Sequence, residues 1–218
     1  MSYHHRENTM FEESFNTIFI IGFIIFCFGL EYLSPRSKHK TDDRFIIEDG
    51  AWFILNEFLL TVLFGYSSYY IGHNLSIYLD SLSINLSSIN IVFQFIIFLL
   101  YTDMLSYFAH FFVHRNKYLR LIHKTHHSVK FLNPLSTFRH SIPEKFYFSV
   151  FIGSLNSLLV VSPGVRELVF IIINSTDIFQ HANIKLKIPY FLNYIFIFPD
   201  NHLYHHSKTN LKPYGQNF

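Results

Sequence analysis

The apolar residues of this chain gather into long runs, too continuous for the alternation of a half-buried strand or the single stripe of a surface helix. Ser14 to Leu30 is almost unbroken, and with Tyr32 and Leu33 it approaches the roughly 20 residues that cross a bilayer core. A second run covers residues 51–71, interrupted by Asn56, Glu57 and a few small polar residues, and a third covers Ile89 to Phe112. The pattern predicts spans over 14–33 and 51–71 and a third that begins near 89. Between the second and third lies HNLSIYLDSLSINLSS, rich in Ser and Asn, which reads as a surface loop or an interfacial segment. Further on, Phe146 to Val161 is apolar, Ser162-Pro163-Gly164 signals a turn, and Val165 to Ile178 is partly apolar. These predict a helical hairpin that dips into or crosses the membrane and returns its end, near His181, to the side it left.

Composition agrees with the pattern. With 27 Phe, 14 Tyr and only 15% charged residues, 218 residues make one domain that is too greasy for water. The expected fold class is all-α, a polytopic membrane helical bundle. A net charge of +2 with scattered Lys and Arg excludes nucleic acid as a natural partner. The single cysteine, Cys27, excludes an internal disulfide framework and a cysteine-ligated cluster built from this chain alone. The leader MSYHHRENTMFEES is net acidic and no small-x-small site follows it, so the first run reads as a span and not a cleaved signal. Basic residues set the orientation. Arg36, Lys38, Lys40 and Arg44 follow the first span, and Arg115, Lys117, Arg120 and Lys124 follow the third, whereas residues 73–88 carry no Lys or Arg. The first and third connections are therefore expected in the cytoplasm.

The candidate chemistry is histidine. Ten of the fourteen histidines lie after residue 100, as His110-x-x-x-His114, His123-x-x-His126-His127, single His140 and His181, and His202-x-x-His205-His206. On a helix, positions i, i+3 and i+4 share a face, so each cluster presents its imidazoles toward one point. Asp103, seven residues before His110, falls on the same face and could fix the tautomer of a ligand histidine or bind metal itself. The third span places these groups at its cytoplasmic end, and the amphipathic stretch IPYFLNYIFIFPD could lie along the interface and return the last cluster to the others. Nine or ten convergent imidazoles exceed the needs of one tetrahedral zinc, which favours two metals. Imidazole suits iron, copper and zinc alike. His4, His5, His39 and His73 stand outside any ligand spacing and read as ordinary polar residues.

These residues resemble the fatty acid hydroxylase and sterol desaturase superfamily of membrane oxygenases. DMLSYFAHFFVHRNKYLRLIHKTHHS, Asp103 to Ser128, is similar to its opening signature of an acidic residue, H-x-x-x-H-R and H-x-x-H-H-S. FLNPLSTFRHSIPE places Arg139, His140 and Glu144 at matching positions, FQHANIKL carries the later single His181, and FPDNHLYHHS supplies the closing H-x-x-H-H. The resemblance covers Asp103 to Gly215 and divides the chain into an N-terminal transmembrane region, 1–100, and a histidine-box catalytic region, 101–218. It implies a cytosolic histidine-lined centre holding two iron ions, with zinc as a substitute, that uses O2 and electrons from an external donor to hydroxylate or desaturate a lipid. It adds His140 and His181 to the ligand set and gives Asp103 a catalytic place. The HHS...N-x-L-S-T-x-R wording resembles the alkylglycerol monooxygenase-like and bacterial sterol desaturase-like branch. Phe111 stands where Arg is common and Pro213 where Asn is usual. The family normally continues with a Trp-Asp and Phe-Gly-Thr segment, so the resemblance implies a C-terminally truncated version. That version could lack activity.

An aliphatic C–H bond has no acidic proton and no polar handle, so removing its hydrogen calls for a redox metal. The chain has no flavin or nicotinamide fingerprint and no fused cytochrome b5-like region; a separate cytochrome b5-like, ferredoxin or reductase donor is expected. The rival reading is a membrane zinc hydrolase. His110-Phe-Phe-Val-His114 lacks the Glu that H-E-x-x-H zinc proteases use as base, so the base would have to be Asp103, Glu144 or Asp200.

Overall fold

A computed structural model describes residues 3–37, 43–78 and 82–207. Helix α1 spans Tyr3–Leu33. Helix α2, Asp43–Phe53, runs through a π-helical stretch, Ile54–Leu60, into α3, Thr61–Tyr78. Helix α4 covers Ile91–Arg115, α5 Lys117–His123, α6 Ile142–Asn156, α7 Pro163–His181 and α8 Pro199–His206. Strands β1, Ile84–Asn85, and β2, Leu159–Val160, form a two-residue parallel ladder.

Helix α4 is the axis of the arrangement. Its 25 residues rise about 37 Å, enough to cross a hydrocarbon core, and among the described residues it is the one helix both long and apolar enough to do so. Of the other two expected spans, the apolar part of α1 is the shorter stretch Thr17–Leu33, and residues 51–71 contain the π-helical segment. The expected loop between spans also needs correction: residues 73–78 continue α3, because Asn, Ser, Tyr and Ile extend a helix already nucleated upstream at lower cost than they begin one. The hairpin is present as α6 and α7, joined by β2, with Pro163 at the start of α7.

The molecule is apolar outside as well as inside. Ile25, Phe26, Leu63, Ile91, Phe93 and Leu100 all expose more than half of their surface, an arrangement that water would penalise and hydrocarbon would not. Two buried clusters hold the helices together. Ile20, Ile24 and Cys27 of α1 pack on Ile178, Ala182 and Ile184 at the end of α7, with Phe138 between them. At the opposite end Phe98 of α4 packs on Leu159, Val161, Val165 and Val169.

Polar caps close the far end. Asn90 caps α4 through the Val92 amide, and buried Gln94 donates to the carbonyl of Ile89 and accepts from the Ser162 amide at 2.9 Å. At the histidine end Asn116 terminates α4 and caps α5, accepting from Tyr118 and Leu119 amides at 2.8 and 3.2 Å. One residue thus sets the angle between the helix bearing His110 and His114 and the segment bearing His123 to His127. The stretch expected along the interface forms a 3₁₀ turn, Tyr190–Tyr194, and exposes Phe191, Tyr194, Ile195 and Phe196.

Candidate metal centre

The histidines reach the centre from five elements. His110 and His114 lie one turn apart at the end of α4, and His123 closes α5. His126 and His127 are not on that helix: they occupy a separate 3₁₀ turn, His126–Ser128, which points the two neighbouring rings in different directions, 84° apart. His181 is the last residue of α7, and His202, His205 and His206 lie on the eight-residue α8. Pro199 starts α8, and the loop before it is tied to the end of α1: the Asn183 amide donates to Glu31 at 2.6 Å, the Lys185 amide to the Ser34 carbonyl, and Arg36 pairs with Asp200 at 2.8 Å.

Nine imidazoles meet as two adjoining sets. His110, His114, His123, His127 and His205 form one, and His126, His181, His202 and His206 form the other; within each set the candidate donor atoms lie within 4.8 Å of one another. The sets touch: His123 stacks on His126 at 5.0 Å and His127 on His206 at 4.5 Å between ring centres. Nε2 atoms face each other at 2.7 Å for His110 and His114, 3.1 Å for His110 and His205, 3.3 Å for His181 and His126, and 3.1 Å for His202 and His206. With metal–nitrogen bonds of about 2.0–2.1 Å, the nitrogen–nitrogen edges of a coordination polyhedron measure about 2.9–3.4 Å, so the last three separations fit ligands around an ion and the His110–His114 pair stands slightly closer.

The tautomers fit as well. Nδ1 of His181 lies 2.8 Å from the Asp177 carbonyl, which can only accept, so that nitrogen carries the proton and Nε2 offers a lone pair. Nδ1 of His123 lies 2.5 Å from Oε1 of Glu144, whose carboxylate imposes the same tautomer. Burial pushes the Glu144 carboxyl up, but His140 and His123 outweigh it and hold it at about 2. Burial, reinforced by neighbouring imidazoles, holds His126, His202 and His206 well below the usual histidine range and His127 at about 2. These four imidazoles are therefore neutral at physiological pH, the form that binds metal.

His140 belongs to neither set. Its ring stacks parallel on His126 at 5.1 Å, and its Nδ1 lies 3.0 Å from the same Glu144 oxygen. Asp103 also stands apart: it lines a cavity of about 920 Å³ whose floor includes His110, His126, His181 and His202. The orienting carboxylate beside a ligand is Glu144, and its position was written in the chain as a capping box, with Ser141 and Glu144 bonding each other's backbone amides at the start of α6. The loop before it is held from the other side. Arg139 pairs with Glu48 and, at 2.9 Å, with buried Asp49, which also accepts from Asn133, and Asn56 in the π-helical stretch donates to the His140 carbonyl at 3.2 Å. None of these distant partners is visible from spacing.

The fatty acid hydroxylase family model matches residues 95–218, more than half of the chain. The chain belongs to the fatty acid hydroxylase family. Its members are O2-dependent, membrane-bound hydroxylases and desaturases, and the two histidine sets lie wholly within the matched region. No curated protein and no solved structure shows significant similarity to the chain.

Proposed function

We propose that this fatty acid hydroxylase family chain is a multi-pass membrane oxygenase that hydroxylates or desaturates a lipid. One observation carries the reading: two adjoining sets of five and four imidazoles meet beside a single large cavity, which His110 and His123 of the first set and His126, His181 and His202 of the second line directly. Five nitrogen donors exceed the four of a tetrahedral zinc site and favour an ion with a larger coordination shell, and iron is the metal the family implies. The two ions would be held by His110, His114, His123, His127 and His205 and by His126, His181, His202 and His206. Bound iron supplies the O2-activating redox chemistry that an aliphatic C–H bond requires. The chain's own residues do the rest. Glu144 and the Asp177 carbonyl orient ligand rings, while Phe148, Ile152, Phe170 and Ile173 give the cavity hydrocarbon walls that hold a lipid carbon near the site and exclude water.

Electrons come from a separate donor protein or reductase. The basic residues after α1 and α4 support a cytoplasmic placement of the histidine end. The HHS...N-x-L-S-T-x-R wording of residues 126–139 supports the alkylglycerol monooxygenase-like and bacterial sterol desaturase-like branch. The test is metal analysis of anaerobically purified chain together with lipid mass spectrometry of a host with and without it. Two iron per chain and a lipid that gains one oxygen or loses two hydrogens are expected, and His126→Ala should abolish that product. Zinc at the site with O2-independent lipid cleavage would establish the hydrolase instead.

A further inference from the structure

Two facing helices each carry a polar stripe that descends to a ligand histidine. On α4 the stripe is Asp103, Ser106, His110; on α7 it is Asn174, Asp177, His181, and all six residues line the cavity. Spacings of three and four keep each stripe on one helix face. Such residues are out of place in a passage for bare hydrocarbon, because each polar group facing an apolar chain loses its hydrogen bonds to water without replacement. Internal partners do not account for them. Ser106 and Asn174 bond only to their own helix, to the carbonyls of Thr102 and Phe170. The side chains of Asp103 and Asp177 make no hydrogen bond or ion pair among the described residues. Neither does Gln180, which also lines the cavity and is only 9% exposed. A buried amide with neither donor nor acceptor satisfied is an independent sign that something polar belongs there.

We infer that these groups form a polar waist that binds a neutral, hydrogen-bond-donating group of the substrate lipid, a hydroxyl or an amide N–H. This rests on the lipid oxygenase reading and narrows its substrate class. The acceptors dominate: two carboxyl groups and the Gln180 carbonyl oxygen can each receive a hydrogen bond, so a donor on the lipid is rewarded and a capped ether is not. A lipid carboxylate would add a third acidic group to a site that already holds two. Of the Lys and Arg side chains that line the cavity, Lys145 is engaged with Glu57 at 3.1 Å, and Arg166 donates to the carbonyls of Asn156 and Leu159 at 3.5 and 3.2 Å. Asp177 lies about 6 Å along its helix from His181, and Asp103 about 10 Å from His110, so the waist would hold the polar group within two turns of the metal site. It would thereby choose which carbon of the chain is presented.

The test measures binding and turnover separately. Radiolabelled hexadecanol, hexadecyl methyl ether and palmitate are bound to the iron-loaded full chain in detergent. We expect hexadecanol to bind about tenfold more tightly than the ether or palmitate, the scale of a hydrogen bond to a charged or buried group. Asp103→Leu with Asp177→Leu, which removes both acceptors, should reduce that preference to within about twofold while iron content stays unchanged, and Gln180→Leu alone should reduce it partly. Equal binding of the three lipids by the native chain overturns the inference without any variant, as does a preference that survives both aspartate substitutions. If hexadecanol is preferred but no lipid gains oxygen, the oxygenase reading fails and the polar waist stands.

Discussion

Glu144 shows how much one fully buried side chain can carry. Its two oxygens cap α6, receive Nδ1–H of His123 and approach His140, so a single carboxylate couples helix initiation to ligand orientation. Glu144→Gln preserves shape and most of the cap but removes the charge. We expect iron affinity to fall about 10- to 100-fold with little loss of helix, read by metal titration alongside circular dichroism. Protonation acts on the same site. The imidazoles of His126, His127, His202 and His206 are held below their unfolded value, so the unfolded chain takes up protons first as pH drops. The metal-free fold is therefore stable above about pH 6.5 and loses stability progressively below it, towards the value of about 2 at which folded His127 protonates. Glu144 adds a loss of the same sign between its ordinary 4.5 and about 2. Thermal unfolding of metal-free protein from pH 8 to 5 should show a falling midpoint, and iron should restore it. A flat profile would contradict the buried neutral imidazoles.

At the scale of elements, the close packing of α3 on α6 holds the wall that carries Lys145 and Phe148. Gly72 makes that approach possible: a Cβ there would lie 2.8 Å from Ser157 Oγ and 3.3 Å from the Ser154 Cα, and Ser157 Oγ donates to the Gly72 carbonyl at 3.0 Å. Gly72→Val should push the helices apart and cost about 1–3 kcal/mol, seen as a lower unfolding midpoint. Gly72→Ala should cost less, because its one added carbon meets only the Ser157 side chain and the Ser154 Cα, and the Ser157 hydroxyl can rotate away, leaving its Cβ at 3.0 Å to be relieved by a small shift. The hairpin of α6 and α7 and the long α4 were legible in the chain from run length and from Ser162-Pro163-Gly164. The π-helical stretch was not. Its cause is tertiary: it brings Asn56 to the His140 carbonyl and Glu57 to Lys145, partners more than 80 residues away that no local propensity encodes.

The whole molecule is polarised, with the two histidine sets at one end and the β1–β2 ladder, Gln94 and Arg166 at the other. If α4 spans the bilayer with its basic end in the cytoplasm, Lys117→Cys should react with an impermeant maleimide only from the cytosolic side and Ser87→Cys only from the opposite side. Labelling of both from one side would contradict the proposed topology. Either variant is made in a Cys27→Ser background.

The chain alone determined that it is helical, apolar on its surface and equipped with histidines at ligand spacing, because hydrophobic run length and i, i+3, i+4 periodicity are local properties. It also determined the family, through motifs that lie within single segments. Folding decided which imidazoles stand close enough together to hold one ion. His126 and His127 are adjacent in sequence yet belong to different sets, and His205 and His206 divide likewise. Ring direction depends on the 3₁₀ turn at 126–128, on the pitch of α8 and on how α1 anchors the loop before it, and these arise from contacts across the fold.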